Sequence, residues 1–144
     1  MLRLSRTIYV EMVAHCLAGL PDEACGLLVG SYGGEEVTHL FVTANAAASA
    51  LVYEIDPKEM LRVDRSAQDL GADIMGVFHS HTHTDAYPSP TDVAQATDPG
   101  WHYVLVSLRD TQPVVRSYLI REGTISEEPV EVPGLELLGL DGPG

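Results

Sequence analysis

Cysteine is almost missing from this chain: Cys16 and Cys25 are its only two in 144 residues. That is too few for the disulfide framework of a small secreted domain and points to a reducing compartment. Long apolar runs are missing too. None approaches the ~18 residues that a membrane span requires, and Glu11 and His15 interrupt the apolar stretch behind Arg3 and Arg6 where a signal peptide would be uniform. Basic residues are scarce, 8 Lys+Arg against 21 Asp+Glu for a net charge of −13, and such a surface repels phosphate backbones and anionic lipid. These shortages together predict a soluble, cytoplasmic protein without nucleic-acid or membrane partners.

What is present is ordinary globular material. Hydrophobic residues make up 45% and charged residues 20%, enough to bury a core in one domain. Ser5 caps an expected helix with an apolar stripe of Ile8, Met12, Val13, Cys16, Leu17 and Leu20, stopped by Gly19 and Pro21. Cys16 on that stripe reads as a small buried hydrophobe. Ala24 to Gly30 and Glu36 to Thr43 read as a hairpin about Gly33-Gly34. Asp56-Pro57-Lys58-Glu59 starts a second helix, running to Gly71 with Met60, Leu61, Val63 and Leu70 as its apolar positions. Ile74 to His81 reads as a largely buried strand, and Ser89-Pro90-Thr91-Asp92 starts a short helix. Tyr103 to Leu108, Val114 to Ile120 and Thr124 to Val132 form a strand meander. The expected class is α/β, a mixed sheet flanked by helices: a domain over 1–132 and a Gly-, Pro- and Leu-rich flexible tail over 133–144. No internal repeat appears, and the oligomeric state is left open.

The chemistry gathers in His79-Ser80-His81-Thr82-His83-Thr84-Asp85-Ala86-Tyr87-Pro88-Ser89-Pro90-Thr91-Asp92. Strand residues two apart share a face, so His79 and His81 can aim at one point while Ser80 turns away. Asp92, in a first helical turn, supplies an anionic oxygen. Two imidazoles and a carboxylate suit zinc and leave one tetrahedral position open, the arrangement of a hydrolytic site. Glu23, at the mouth of a strand, is a candidate proton acceptor, although a solvated loop acid is the ordinary reading of such a residue. Ser89 and Asp92 also read as helix-terminus residues. His83 is open between a solvated loop residue, a partner of a ligand and an alternative ligand. His102 reads as packed or capping, and His15 and His39 as structural. A His-Glu-x-x-His helix, a Gly-x-Ser-x-Gly elbow and a glycine-rich phosphate loop are all missing. A nucleobase deaminase is also excluded, because both cysteines precede the histidines.

The pattern Glu23-Ala24-Cys25-Gly26, then His79-Ser80-His81, seven residues, Ser89, two residues and Asp92 resembles the JAMM (MPN+) zinc metalloprotease signature. The resemblance extends to small stand-alone bacterial members of the Mec type through Pro21-Asp22-Glu23-Ala24-Cys25-Gly26, Ala86-Tyr87-Pro88-Ser89 and His102-Tyr103-Val104-Leu105-Val106-Ser107. It covers most of Pro21 to Val132. It implies a cytidine-deaminase-like JAMM/MPN fold, with Zn2+ held by His79, His81 and Asp92, Glu23 as general acid/base and Ser89 as donor to the oxyanion. It further implies a substrate: the C-terminal tail of a ubiquitin-like or sulfur carrier protein, from which such enzymes release cysteine during cysteine biosynthesis. A broader isopeptidase acting on lysine-linked modifiers and a noncatalytic partner-binding scaffold of the same fold are the alternatives.

Overall fold

The computed structural model describes residues 1–135. A six-stranded sheet runs in the order β3, β2, β4, β5, β6, β7, from strands β2 (Cys25–Gly30), β3 (Val37–Thr43), β4 (Asp73–His81), β5 (His102–Ser107), β6 (Val114–Arg121) and β7 (Thr124–Glu128). Neighbouring strands are antiparallel except β4 and β5, which are parallel. A parallel pair needs a crossover, and this one carries the helix α3 (Pro90–Gln95). The expected α/β class and mixed sheet are therefore present.

Helices α1 (Arg6–Ala18) and α2 (Pro57–Asp69) begin at the expected caps, with Ser5 accepting from the Ile8 amide and Asp56 from the Lys58 amide. They cover opposite faces of the sheet. One core joins Met12 and Cys16 of α1 to Leu28, Phe78 and Val104. The other joins Val63 and Ala67 of α2 to Leu27, Val77 and Leu105. Sandwiched between them, β4 is buried from Ile74 to His81, which is why it reads as a continuous apolar run. A register shift between Leu28 and Val29 leaves Met75 as an extra residue against β2. Ile74 and Val77 thus share the α2 face, while Met75 and Phe78 share the other.

Three expectations change. Leu17 and Leu20 are exposed and Tyr9 takes an inward place on α1, because apolar residues surround this helix and the sheet selects the Tyr9, Met12, Cys16 side. On α2, Leu61 and Leu70 are exposed, and Met60, Val63 and Ala67 face inward. The strand expected over Thr124 to Val132 breaks at Pro129, which has no amide to donate to a ladder. Beyond the break β8 (Val130–Glu131) pairs in parallel with β1 (Leu2–Arg3). Of the expected tail, Leu135 is buried in the α1-side core, and 136–144 lie outside the described residues. Among the described residues no helix is long and apolar enough to cross a membrane.

Candidate metal centre

His79 and His81 close β4 on its α2 face, and Ser80 points to the other side, where its Oγ accepts the Ala24 amide at 2.8 Å. The loop after β4 returns the chain to Ser89, which caps α3 reciprocally: Ser89 Oγ accepts the Asp92 amide at 3.1 Å and the Asp92 carboxylate accepts the Ser89 amide at 2.9 Å. This capping box fixes the Asp92 side chain. Its two oxygens lie 3.2 Å from His79 Nε2 and 2.9 Å from His81 Nε2. One donor atom from each of the three residues lies within 4.8 Å of the others, and all three residues are buried.

The hydrogen bonding of His81 determines what can occupy this point. Its Nδ1 lies 2.8 Å from the Asp85 carbonyl oxygen, which can only accept, so Nδ1 carries the proton. A neutral His81 then turns the Nε2 lone pair toward a carboxylate. Two acceptors 2.9 Å apart repel unless a cation, a proton or a metal ion, lies between them. His79 Nε2 is likewise buried without a hydrogen-bond partner. The donor set of two nitrogens and a carboxylate oxygen fits a divalent ion.

Burial holds the His79 pKa low despite Asp92. Burial acts the same way on His81, but Asp92 and the Asp85 carbonyl outweigh it and the net shift is upward. Burial would raise the Asp92 pKa, yet the two histidines outweigh it and hold the carboxyl well below the usual range.

Glu23 stands beside this group. Its amide donates to the Ser49 carbonyl at 2.8 Å, its carbonyl accepts from Asn45 Nδ2 at 3.0 Å, and the next amide is held by Ser80. The carboxyl is buried, with Oε1 unpartnered. Burial, opposed by His81 and assisted by the Asp92 charge, pushes its pKa up to about 7.

The structure thus brings His79, His81 and Asp92 together, with Glu23 near enough to feel their charge and Ser89 joined to Asp92. His83 is exposed, bonded to Thr82 Oγ1 at 2.7 Å, and outside the group. His102 is buried against Glu128, His15 lies against the carbonyls of Cys25 and Thr43, and His39 is exposed. Cys16 and Cys25 are free and buried, and burial drives the Cys16 thiol up to about 12, so Cys16 packs as a hydrophobe.

Two contributors are not legible in the sequence. Tyr53 stacks on His79 with ring centroids 4.2 Å apart. Asn45 Nδ2 donates to the Glu23 and Val52 carbonyls while its Oδ1 accepts the Ala47 and Glu54 amides, stapling the loop that carries Tyr53. An Asn turn is a readable local signal; what it holds is not.

Residues 5–121 match the family model for prokaryotic homologs of the JAB domain. The CysO-cysteine peptidase of Mycobacterium tuberculosis is 46% identical over 122 residues, 84% of each chain. A desampylase of Haloferax volcanii is 38% identical over 88 residues, 60% of this chain and 63% of that one. Among solved structures, DSY2949 from Desulfitobacterium hafniense superposes with a TM-score of 0.83 at 35% identity, over 92% of both chains. With its mixed sheet, its buried His-His-Asp group and a family match over most of its length, the chain belongs to the prokaryotic JAB-domain family.

Proposed function

We propose that this protein is a zinc-dependent peptidase that hydrolyses the C-terminal peptide bond of a ubiquitin-like sulfur carrier adduct, releasing cysteine in a cysteine-biosynthesis route. The observation that carries the reading is the pair of inward-facing imidazole nitrogens opposed to one buried carboxylate, a set that needs a cation and suits zinc with an open position. His79, His81 and Asp92 are the ligands. Bound there, zinc would supply Lewis acidity, polarising a carbonyl and lowering the pKa of water from about 15.7 toward ~7.

The remaining steps belong to the chain's own residues. Glu23, with a pKa near 7, takes the proton of the attacking water and passes it to the leaving amine; a group titrating near the working pH does both. Ser89 Oγ accepts the Asp92 amide, so its own hydroxyl proton is free to point at the oxyanion. Two free buried cysteines fit a cytoplasmic setting.

The M. tuberculosis relative supports cysteine release by 46% identity over 122 residues. The H. volcanii desampylase, 38% identical over 88 residues, supports a competing reading as a broader isopeptidase. The longer and closer match favours trimming. The test measures the metal content of the purified chain, then offers it carriers ending in cysteine, carriers ending in other amino acids and lysine-linked adducts, with mass readout. About one zinc per chain and selective loss of C-terminal cysteine are expected. Cleavage of the lysine adducts alone would favour deconjugation, and a metal-free, inactive chain would leave a scaffold.

A further inference from the structure

Two stretches within the family resemblance, Ala86-Tyr87-Pro88-Ser89 and His102-Tyr103-Val104-Leu105-Val106-Ser107, contain residues to which no chemical step falls, Ala86 and Ser107 among them. The structure joins these stretches across the loop that follows His81. Three successive carbonyls of that loop each accept a bond from a different strand. Thr84 O accepts from Ser107 Oγ of β5 at 2.7 Å, Asp85 O accepts from His81 Nδ1 of β4 at 2.8 Å, and Ala86 O accepts from the Tyr118 hydroxyl of β6. Ser107 is also the residue paired with His81 in the β4–β5 register.

We propose that Ser107 and Tyr118 are positioning residues for the metal centre: by holding the carbonyls on both sides of Asp85, they present the Asp85 carbonyl to His81 and so keep His81 Nε2 on the metal position. The proposal rests on the metal reading given above. A carbonyl opposite Nδ1 selects the tautomer with its lone pair on Nε2, and it also fixes the ring about its last torsion. Ser107 and Tyr118 are both buried residues, where leaving a polar partner unpaired is costly. Arg109 also reaches this loop, pairing with the Asp85 carboxylate at 2.7 Å, but both side chains are more than half exposed, and an exposed pair contributes little. His79 is held by other means, its stacking on Tyr53.

The test compares Tyr118→Phe and Ser107→Ala with the parent chain and with Tyr103→Phe. Tyr103 is a matched control: its buried hydroxyl also staples a loop, donating to the Asp98 carbonyl at 2.7 Å and accepting the Asp98 amide at 3.1 Å. Zinc affinity is read by competition with a chromophoric chelator, ligand geometry by the visible absorption of the cobalt(II)-loaded protein, and folding by thermal melting of the metal-free forms. Tyr118→Phe and Ser107→Ala are each expected to bind zinc roughly 10- to 100-fold more weakly with an altered cobalt spectrum, and Tyr103→Phe to match the parent in both. Parent-like affinity and spectrum in the two variants would overturn the proposal. So would an equal loss in Tyr103→Phe, which would mean general loosening. If Tyr118→Phe does not fold, Ser107→Ala alone decides. A parent chain that binds no divalent ion overturns the metal reading and this proposal together. A parent that binds zinc but cleaves no carrier removes the proposed function only, because affinity and spectrum are read without substrate.

Discussion

At the scale of single residues, the centre depends on which atoms carry protons. The Asp85 carbonyl places the His81 proton on Nδ1, and the Asp92 carboxylate then confronts two imidazole nitrogens. Glu23 is outside the ligand set, so Glu23→Gln should leave zinc content unchanged while kcat falls by about 10²- to 10⁴-fold, the range for loss of a general acid/base. Metal analysis beside steady-state kinetics checks this, and full activity in the variant would remove Glu23 from the mechanism. Asp92→Asn should lose zinc, because a neutral amide replaces the anionic ligand. It should also weaken the start of α3 slightly, because the Asn oxygen can still accept the Ser89 amide but the negative charge in the first turn is lost, about 0.3–1 kcal/mol. Chelator competition reads the first effect and melting of the metal-free protein the second. The convergence of His79 and His81 was legible from a period of two, and Asp92 from the helix start. Tyr53 was not, because nothing local to it names the ring it stacks on.

At the scale of elements, caps and turns were readable because their chemistry closes within three or four residues: Ser5, Asp56 and Ser89 each begin a helix as expected. The inward faces of α1 and α2 were less readable. Their apolar residues outnumber the inward positions, and the sheet decides which are covered. Gly26, in the Glu-x-x-Gly stretch, shows how tightly a strand can be placed. It pairs with Phe78 across β2 and β4, and a Cβ there would strike the Phe78 ring and lie 2.6 Å from the Phe41 carbonyl oxygen. The carbonyl oxygen is backbone and cannot swing aside as a side-chain end could, so relief must come from the strand or the Phe78 ring. Gly26→Ala is expected to destabilise the fold by about 1–3 kcal/mol, as overpacking does, seen as a lower denaturant midpoint. An unchanged midpoint would show that the Phe78 ring has room to yield.

At the scale of the whole molecule, the end of the sheet remote from the metal group is tied by a second buried polar cluster. His102 Nδ1 meets Glu128 Oε2 at 2.6 Å and its Nε2 meets the Gly34 carbonyl at 2.7 Å, so both ring nitrogens face acceptors and the imidazole is charged. Ser117 Oγ donates to the same carboxylate at 2.8 Å, and the Met1 amino group lies 3.0 Å from its other oxygen. Burial opposes both charges, but their pairing prevails, raising the His102 pKa and lowering that of Glu128. The His102 contribution is complete below its ordinary value and is lost as pH rises through the raised one. The Glu128 contribution is complete above its ordinary value and is lost as pH falls through the lowered one. Removing one partner of a buried pair costs about 3–5 kcal/mol. The Tm gap between the parent and Glu128→Gln should therefore be widest between about pH 4.5 and 6.5 and narrow on either side. A gap independent of pH would mean that the pair is uncharged. What the sequence determined alone is the helix starts and the alternation that puts His79 and His81 on one face of a strand, because periodicity and capping act over a few neighbouring positions; Glu23 as the acid came only with the family resemblance. Only the tertiary structure decided the elevated pKa of Glu23, the ring stacked on His79, the stapled loop beyond His81 and the pairing of β1 with β8. Each of these arises where residues distant in the chain exclude water together, and such meetings leave no local pattern to read.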